Sequence, residues 1–179
     1  SERLSGIERL ISSAASIIPR ATRSFTAKIA VGIFDSLAIL LYVARRIGPS
    51  HWLPGEPAVE AEIQRWLAVA AGKVAYGLCA ARLITVFGAH FDPREVMQRA
   101  HATLAVMEHT LERWQWLART VQPSIADVAL YSYTASAPEG NVDLAPYPHV
   151  RRWLSCIEQL PGFVPFQQTS AGLRAAVEE

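Results

Sequence analysis

Apolar side chains recur along most of this chain at three- and four-residue spacing, the period of a helix that buries one face. Val59, Ile63, Trp66, Leu67, Ala70 and Val74 trace one such stripe and predict a long helix over residues 58 to about 88. Gly72, Gly77 and Gly88 fall within it, so kinks or close contacts are expected there. Val96, Ala100, Leu104, Met107, Leu111, Trp114 and Ala118 trace a second stripe behind Asp92 as cap and Pro93 as first helical residue. This predicts a second long helix reaching Ala118 and running antiparallel to the first. Pro148 opens a third, with core positions Val150, Trp153, Leu154 and Ile157 and a stop at Pro161-Gly162; a weaker helix is expected between Thr169 and Val177.

The beginning of the chain reads differently. The apolar run Ala30 to Phe34 suits a short strand, and Asp35-Ser36 then precedes a helical pattern of Leu37, Ile39, Leu40, Val43 and Ala44 closed by Arg45 and Arg46. Pro49, Pro54 and Pro57 crowd the segment that follows, which a helix cannot absorb, so residues 48–57 are read as a linker. Residues 58–179 then hold four or five helices and almost no strand signal. The fold class is mainly α, a helical bundle behind a strand-plus-helix segment at 1–47.

Composition narrows the picture. A chain of 179 residues, 51% hydrophobic, is long enough to bury a core. Its net charge of +1 gives no field favouring nucleic acid, and no uninterrupted apolar run approaches the roughly 20 residues that cross a bilayer. Cys79 and Cys156 stand in helix-like stretches and suit buried thiols in a reducing cytoplasm. Residues 1–32 hold five basic and two acidic residues, a local charge of +3. His101 and His109 do not share a helix face and no Cys/His/Asp set has zinc spacing, so no metal site is expected. Glu108 and Glu112, one turn apart beside Arg113, read as a solvated face. Trp114 and Trp116 cannot both face one core.

The most specific local signal is Pro123-Ser-Ile-Ala-Asp-Val-Ala-Leu-Tyr131. Ser124 and Asp127 there form a capping box with Asp in place of the usual Glu, a folding motif. This stretch resembles the helix-start signature of the glutathione transferase superfamily. Three further features fall in that family's order: Asp35-Ser36 before Ala38 to Ala44, the Trp52-Leu53-Pro54 linker, and Tyr147 to Trp153 leading to Leu160-Pro161-Gly162-Phe163. The resemblance covers residues 33 to about 166.

The resemblance implies a thioredoxin-like first domain that binds glutathione and a helical second domain that forms much of the electrophile pocket. It implies conjugation of glutathione, as co-substrate and with no other cofactor, to small electrophiles by a cytoplasmic homodimer. Asp35 and Ser36 carry over as the pair that holds the γ-glutamyl end of glutathione, Ser36 through its hydroxyl and N–H at a helix start; the competing reading makes them only that helix's cap. Tyr76, Cys79 and Arg82 are placed on the pocket side of the first long helix, with Tyr76 and Arg82 as electrophile contacts, against a core or salt-bridge role for each. The thiol-activating residue, which lowers the pKa of the glutathione sulfur, is unassigned: Ser5, Ser12, Ser13, Ser16 and Ser24 follow no recognisable strand. Only 47 residues precede the linker, fewer than the family's first domain needs, so residues 1–47 read as its remnant and an impaired site is expected. The rival class is a non-catalytic helical binding or scaffold module.

Overall fold

The computed structural model describes residues 35–177, and among them there is no strand. The strand expected at 30–34, the anomalous segment 1–32 and the serines singled out there lie outside the described residues.

Helix α1 (Ser36–Ile47) starts where Asp35 Oδ1 accepts the N–H groups of Leu37 and Ala38, at 2.9 and 3.0 Å, and it ends behind Arg45 and Arg46, which suit the negative end of the helix dipole. After a short 3-10 turn at Ser50–Trp52, α2 begins at Pro57, with the Glu56 carboxylate accepting from Ala58 and Val59. These N–H groups hold the Glu56 carboxyl below its ordinary range.

Helix α2 spans Pro57–Phe87 without interruption, but its middle, Ala70–Cys79, is π-helical. The kink expected from the glycines is thus a change of winding. Gly77 meets α3 (Pro93–Arg113) so closely that an added Cβ would lie 3.0 Å from Ala100 N. Thr103 faces the Lys73 carbonyl at 3.5 Å, so the two helices run antiparallel as expected. Gly88 closes α2 in the left-handed region at φ 67. By length and composition α2 is apolar enough to cross a membrane, yet Ile63, Trp66, Leu67, Val74 and Leu78 on it are core residues.

The α3 stripe was expected to continue to Ala118, whereas the helix stops at Arg113 and Trp114 turns to extended backbone. The reason is tertiary: Leu117 donates its N–H to Asp127 Oδ1 at 2.9 Å, drawing the loop inward and burying Trp116, Leu117 and Ala118. Trp114 is left exposed, resolving the conflict between the two tryptophans.

Helix α4 (Ile125–Ala135) is the centre of the fold, with eight of its eleven residues buried and packing against α1, α2 and α5 (Pro148–Glu158). Its capping box is formed: Asp127 Oδ2 accepts Ser124 N–H at 2.9 Å, and Ser124 Oγ accepts from Ala126 N–H at 3.3 Å. Asp127 also takes the Trp153 indole N–H at 2.9 Å, tying α5 to the box. Val150, Trp153, Leu154 and Ile157 are the buried face of α5. Its N-terminal N–H groups are capped from another helix, His149 and Val150 donating to the Glu108 carboxylate at 3.0 and 2.9 Å. Glu108 is therefore no solvated partner of Glu112; it closes a helix 41 residues away. The C-terminal segment ends in a 3-10 turn, Gly172–Val177, where a weaker helix was expected.

Candidate functional site

The junction of α1, α2 and α4 encloses a cleft of about 310 Å³. Asp35 and Ser36 stand at one end with Leu37 and Leu40 behind them. The π-helical stretch of α2 contributes Ala70, Ala71, Val74, Ala75 and Cys79, and α4 contributes Val128, Ala129, Ser132 and Tyr133. The small side chains leave open space between the helices, and the polar groups lining it are Asp35, Ser36, Cys79, Ser132 and Tyr133.

At the first end, both cap hydrogen bonds run to Asp35 Oδ1, which leaves Oδ2 directed elsewhere on an exposed residue. The Ser36 hydroxyl and N–H lie beside it at the start of a helix, where partial positive charge favours an anion. At the other end, Cys79 is in hydrogen-bonding contact with Tyr133. Burial pushes the Cys79 thiol up, against opposing effects of the Tyr133 hydrogen bond and the Arg82 charge, so at neutral pH Cys79 is a thiol and not a nucleophilic thiolate.

Tyr76, Cys79 and Arg82, expected on one side of α2, point three ways. Cys79 reaches the cleft, while Tyr76 is 59% exposed and borders a separate groove with Lys73, Arg99 and Thr103. Arg82 is buried, its Nε donating to Glu139 Oε2 at 2.8 Å, with the rings of Phe87 and Phe166 beside the guanidinium. It does not line this cleft. The expectation assumed α-helical winding throughout, and the π segment shifts each following side chain around the axis.

Ser132 and Tyr133, which sequence reasoning missed, are the polar groups α4 supplies. The signal was hidden because Tyr131 and Tyr133 sit on different faces of one helix, and only packing shows which face meets α2. Among the described residues no group of three or more His, Cys, Asp or Glu is placed to hold a metal ion. His101 bonds the Tyr147 hydroxyl at 2.9 Å, and His109 is exposed.

A central capped helix packed on α1, α2 and α5, with an apolar cleft where α1 docks, defines the helical domain. Residues 83–161 match the family model for the glutathione S-transferase C-terminal domain. A glutathione S-transferase structure from Pseudomonas fluorescens superposes with a TM-score of 0.74 at 27% identity, covering 92% of this chain and 95% of that one. Another from Xanthobacter autotrophicus gives a TM-score of 0.71 at 26% identity, covering 90% and 92%. Glutathione S-transferase D7 of Anopheles gambiae is 38% identical over 76 residues, 42% of this chain. That match spans about a third of the relative's length, 34%. Residues 83–161 thus match the glutathione S-transferase C-terminal domain, and the helical fold around them is the one seen in glutathione S-transferase structures.

Proposed function

We propose that this protein binds glutathione at the Asp35-Ser36 end of the cleft and joins its thiol to a small apolar electrophile held between α2 and α4. The observation that carries this reading is the cleft itself, which connects a helix N-terminus bearing an acidic-Ser pair to apolar walls. The γ-glutamyl carboxylate would take the Ser36 hydroxyl and N–H. Asp35 Oδ2, not used by the helix cap, would take the ammonium group.

The apolar walls supply binding to the electrophile by burial, about 25 cal/mol for each Å² removed from water. Conjugation then needs the glutathione thiol to lose its proton to solvent and the thiolate to align on the bound electrophile, whose leaving group departs, or whose π electrons shift to a neighbouring atom, as the carbon–sulfur bond forms. Burial keeps Cys79 protonated, so it does not compete as a nucleophile. The same reading takes the working unit to be a cytoplasmic homodimer.

The test is titration of the chain with glutathione by calorimetry, paired with an assay of conjugation to a generic aromatic electrophile. Saturable binding with turnover, both reduced by Asp35→Asn and Ser36→Ala, is the expected result. A folded, helical chain that neither binds glutathione nor turns over would replace this reading with a non-catalytic helical module.

A further inference from the structure

On another face of α4, a second recess of about 220 Å³ opens between Tyr131 and Ser136, the end of α5, and the C-terminal segment. It shares no residue with the cleft between α1, α2 and α4, and nothing in the proposed conjugation uses it.

Its charges are unusual. Glu139 is fully buried and already satisfied: Oε2 accepts from Arg82 Nε at 2.8 Å and Thr169 Oγ1 at 2.7 Å, and Oε1 accepts from Thr169 N–H at 3.3 Å. Arg174 Nη1 stands 3.6 Å from Oε1, is buried, and makes no hydrogen bond, while Nη2 donates to the Ala135 carbonyl at 2.9 Å. Two guanidinium groups thus share one carboxylate, leaving a surplus positive charge on the Arg174 side of the recess. Glu158 lines the same recess and accepts the Tyr131 hydroxyl on Oε1 at 2.9 Å, which leaves Oε2 available. Among the described residues no ion pair joins Arg174 to Glu158. Leu154, Phe166 and Phe163 form an apolar part of the remaining wall, the last edge-on to Tyr131 at 5.3 Å, and Ser136 and Gln168 a polar part.

We propose that this recess binds a small zwitterion of the α-amino acid type, its carboxylate toward Arg174, its ammonium group toward Glu158 and an apolar side chain against Phe163 and Phe166. Opposite charges that face one space without touching are complementary to a ligand carrying both, and a ligand with one charge leaves the other side uncompensated. The γ-glutamyl end of glutathione carries the same head group, so a free amino acid and the tripeptide are two sources of one chemistry. The inference stands independently of the conjugation reading.

The experiment is calorimetric titration of the full chain with L-leucine, N-acetyl-L-leucine, L-leucinamide and glutathione, repeated on Glu158→Gln and Asp35→Asn. Glu158 is exposed and the substitution keeps its shape, so the fold is expected to survive, which circular dichroism checks. Saturable binding of L-leucine, at least about tenfold weaker for both single-charge analogues and for Glu158→Gln, is the expected result. Glutathione binding that Glu158→Gln weakens and Asp35→Asn leaves alone would support the recess with the tripeptide as its source. The proposal is overturned if neither L-leucine nor glutathione gives Glu158-dependent binding up to about 10 mM, or if the single-charge analogues bind as well as the zwitterion.

Discussion

Arg82 and Glu139, 57 residues apart, are joined by a 2.8 Å hydrogen-bonded ion pair in which the carboxylate is wholly shielded from water. Glu139 is also the anchor of the C-terminal segment through Thr169. Gly140 beside it packs so tightly on Arg82 that an added Cβ would lie 2.7 Å from Arg82 N. Removing Arg82 takes from the buried carboxylate its closest countercharge and leaves Arg174 Nη1 at 3.6 Å as the remaining one. Arg82→Met is expected to cost about 3 to 5 kcal/mol in urea denaturation, because the buried Glu139 carboxylate loses its hydrogen-bonded countercharge. A loss in the single variant no larger than a surface pair's, about 1 kcal/mol or less, would show that the pair is not the buried lock described here.

Asp127 accepts four hydrogen bonds, from Leu117 N–H, Ser124 N–H, Ser124 Oγ and Trp153 Nε1. It closes the α4 cap, holds the α3–α4 loop and tethers α5. Asp127→Ala is therefore expected to cost about 3 to 5 kcal/mol, because several buried donors lose their acceptor. Ser124→Ala, which removes the cap oxygen and one of the four donors to Asp127, is expected to cost about 1 to 2 kcal/mol. Equal thermal shifts for the two variants would contradict the wider role of Asp127.

Gly77 and Gly72 lie in the same π segment but answer differently to a methyl group. At Gly77 a Cβ meets Ala100 N at 3.0 Å and Arg99 C at 3.1 Å, whereas at Gly72 nothing lies within 4 Å. Gly77→Ala is expected to destabilise by about 1 to 3 kcal/mol by forcing α2 and α3 apart. Gly72→Ala is expected to be neutral or to stabilise by up to about 1 kcal/mol through helix propensity. Denaturation midpoints of the two variants decide this.

Tyr131 is buried against Phe163 with its hydroxyl on Glu158, and burial first, then the neighbouring carboxylate, pushes its ionisation well above the ordinary value of 10.0. Above pH 10 an unfolded chain releases this proton while the folded chain keeps it, so stability falls as pH rises through that window. The raised Cys79 thiol acts in the same direction above its ordinary 9.0. Melting temperatures between pH 9 and 11 are expected to fall less steeply for Tyr131→Phe than for the unaltered chain. Parallel curves would show that Tyr131 ionises as freely folded as unfolded.

Local features were legible in the sequence because neighbours in the chain make them. The Ser124/Asp127 box, the Asp35 and Asp92 caps, Pro93 at a helix start and the Val150-Trp153-Leu154-Ile157 face all arise within one or two turns, where spacing dictates contact. The apolar stripe of α2 was legible for the same reason. Where α3 stops was not, since Leu117 is held by Asp127 ten residues away and periodicity carries no record of that bond.

The chain's own order of residues determined a helical bundle and its caps, since these rest on short-range hydrogen bonding and on the period of apolar side chains. Tertiary structure alone decided which side chains share a site. The π winding of Ala70–Cys79 separated Tyr76 from Cys79, burial beside Glu139 withdrew Arg82 from the cleft, and the docking of α4 on α2 brought in Tyr133. Each of these depends on a partner tens of residues distant, and a side chain's role follows from the partner it meets.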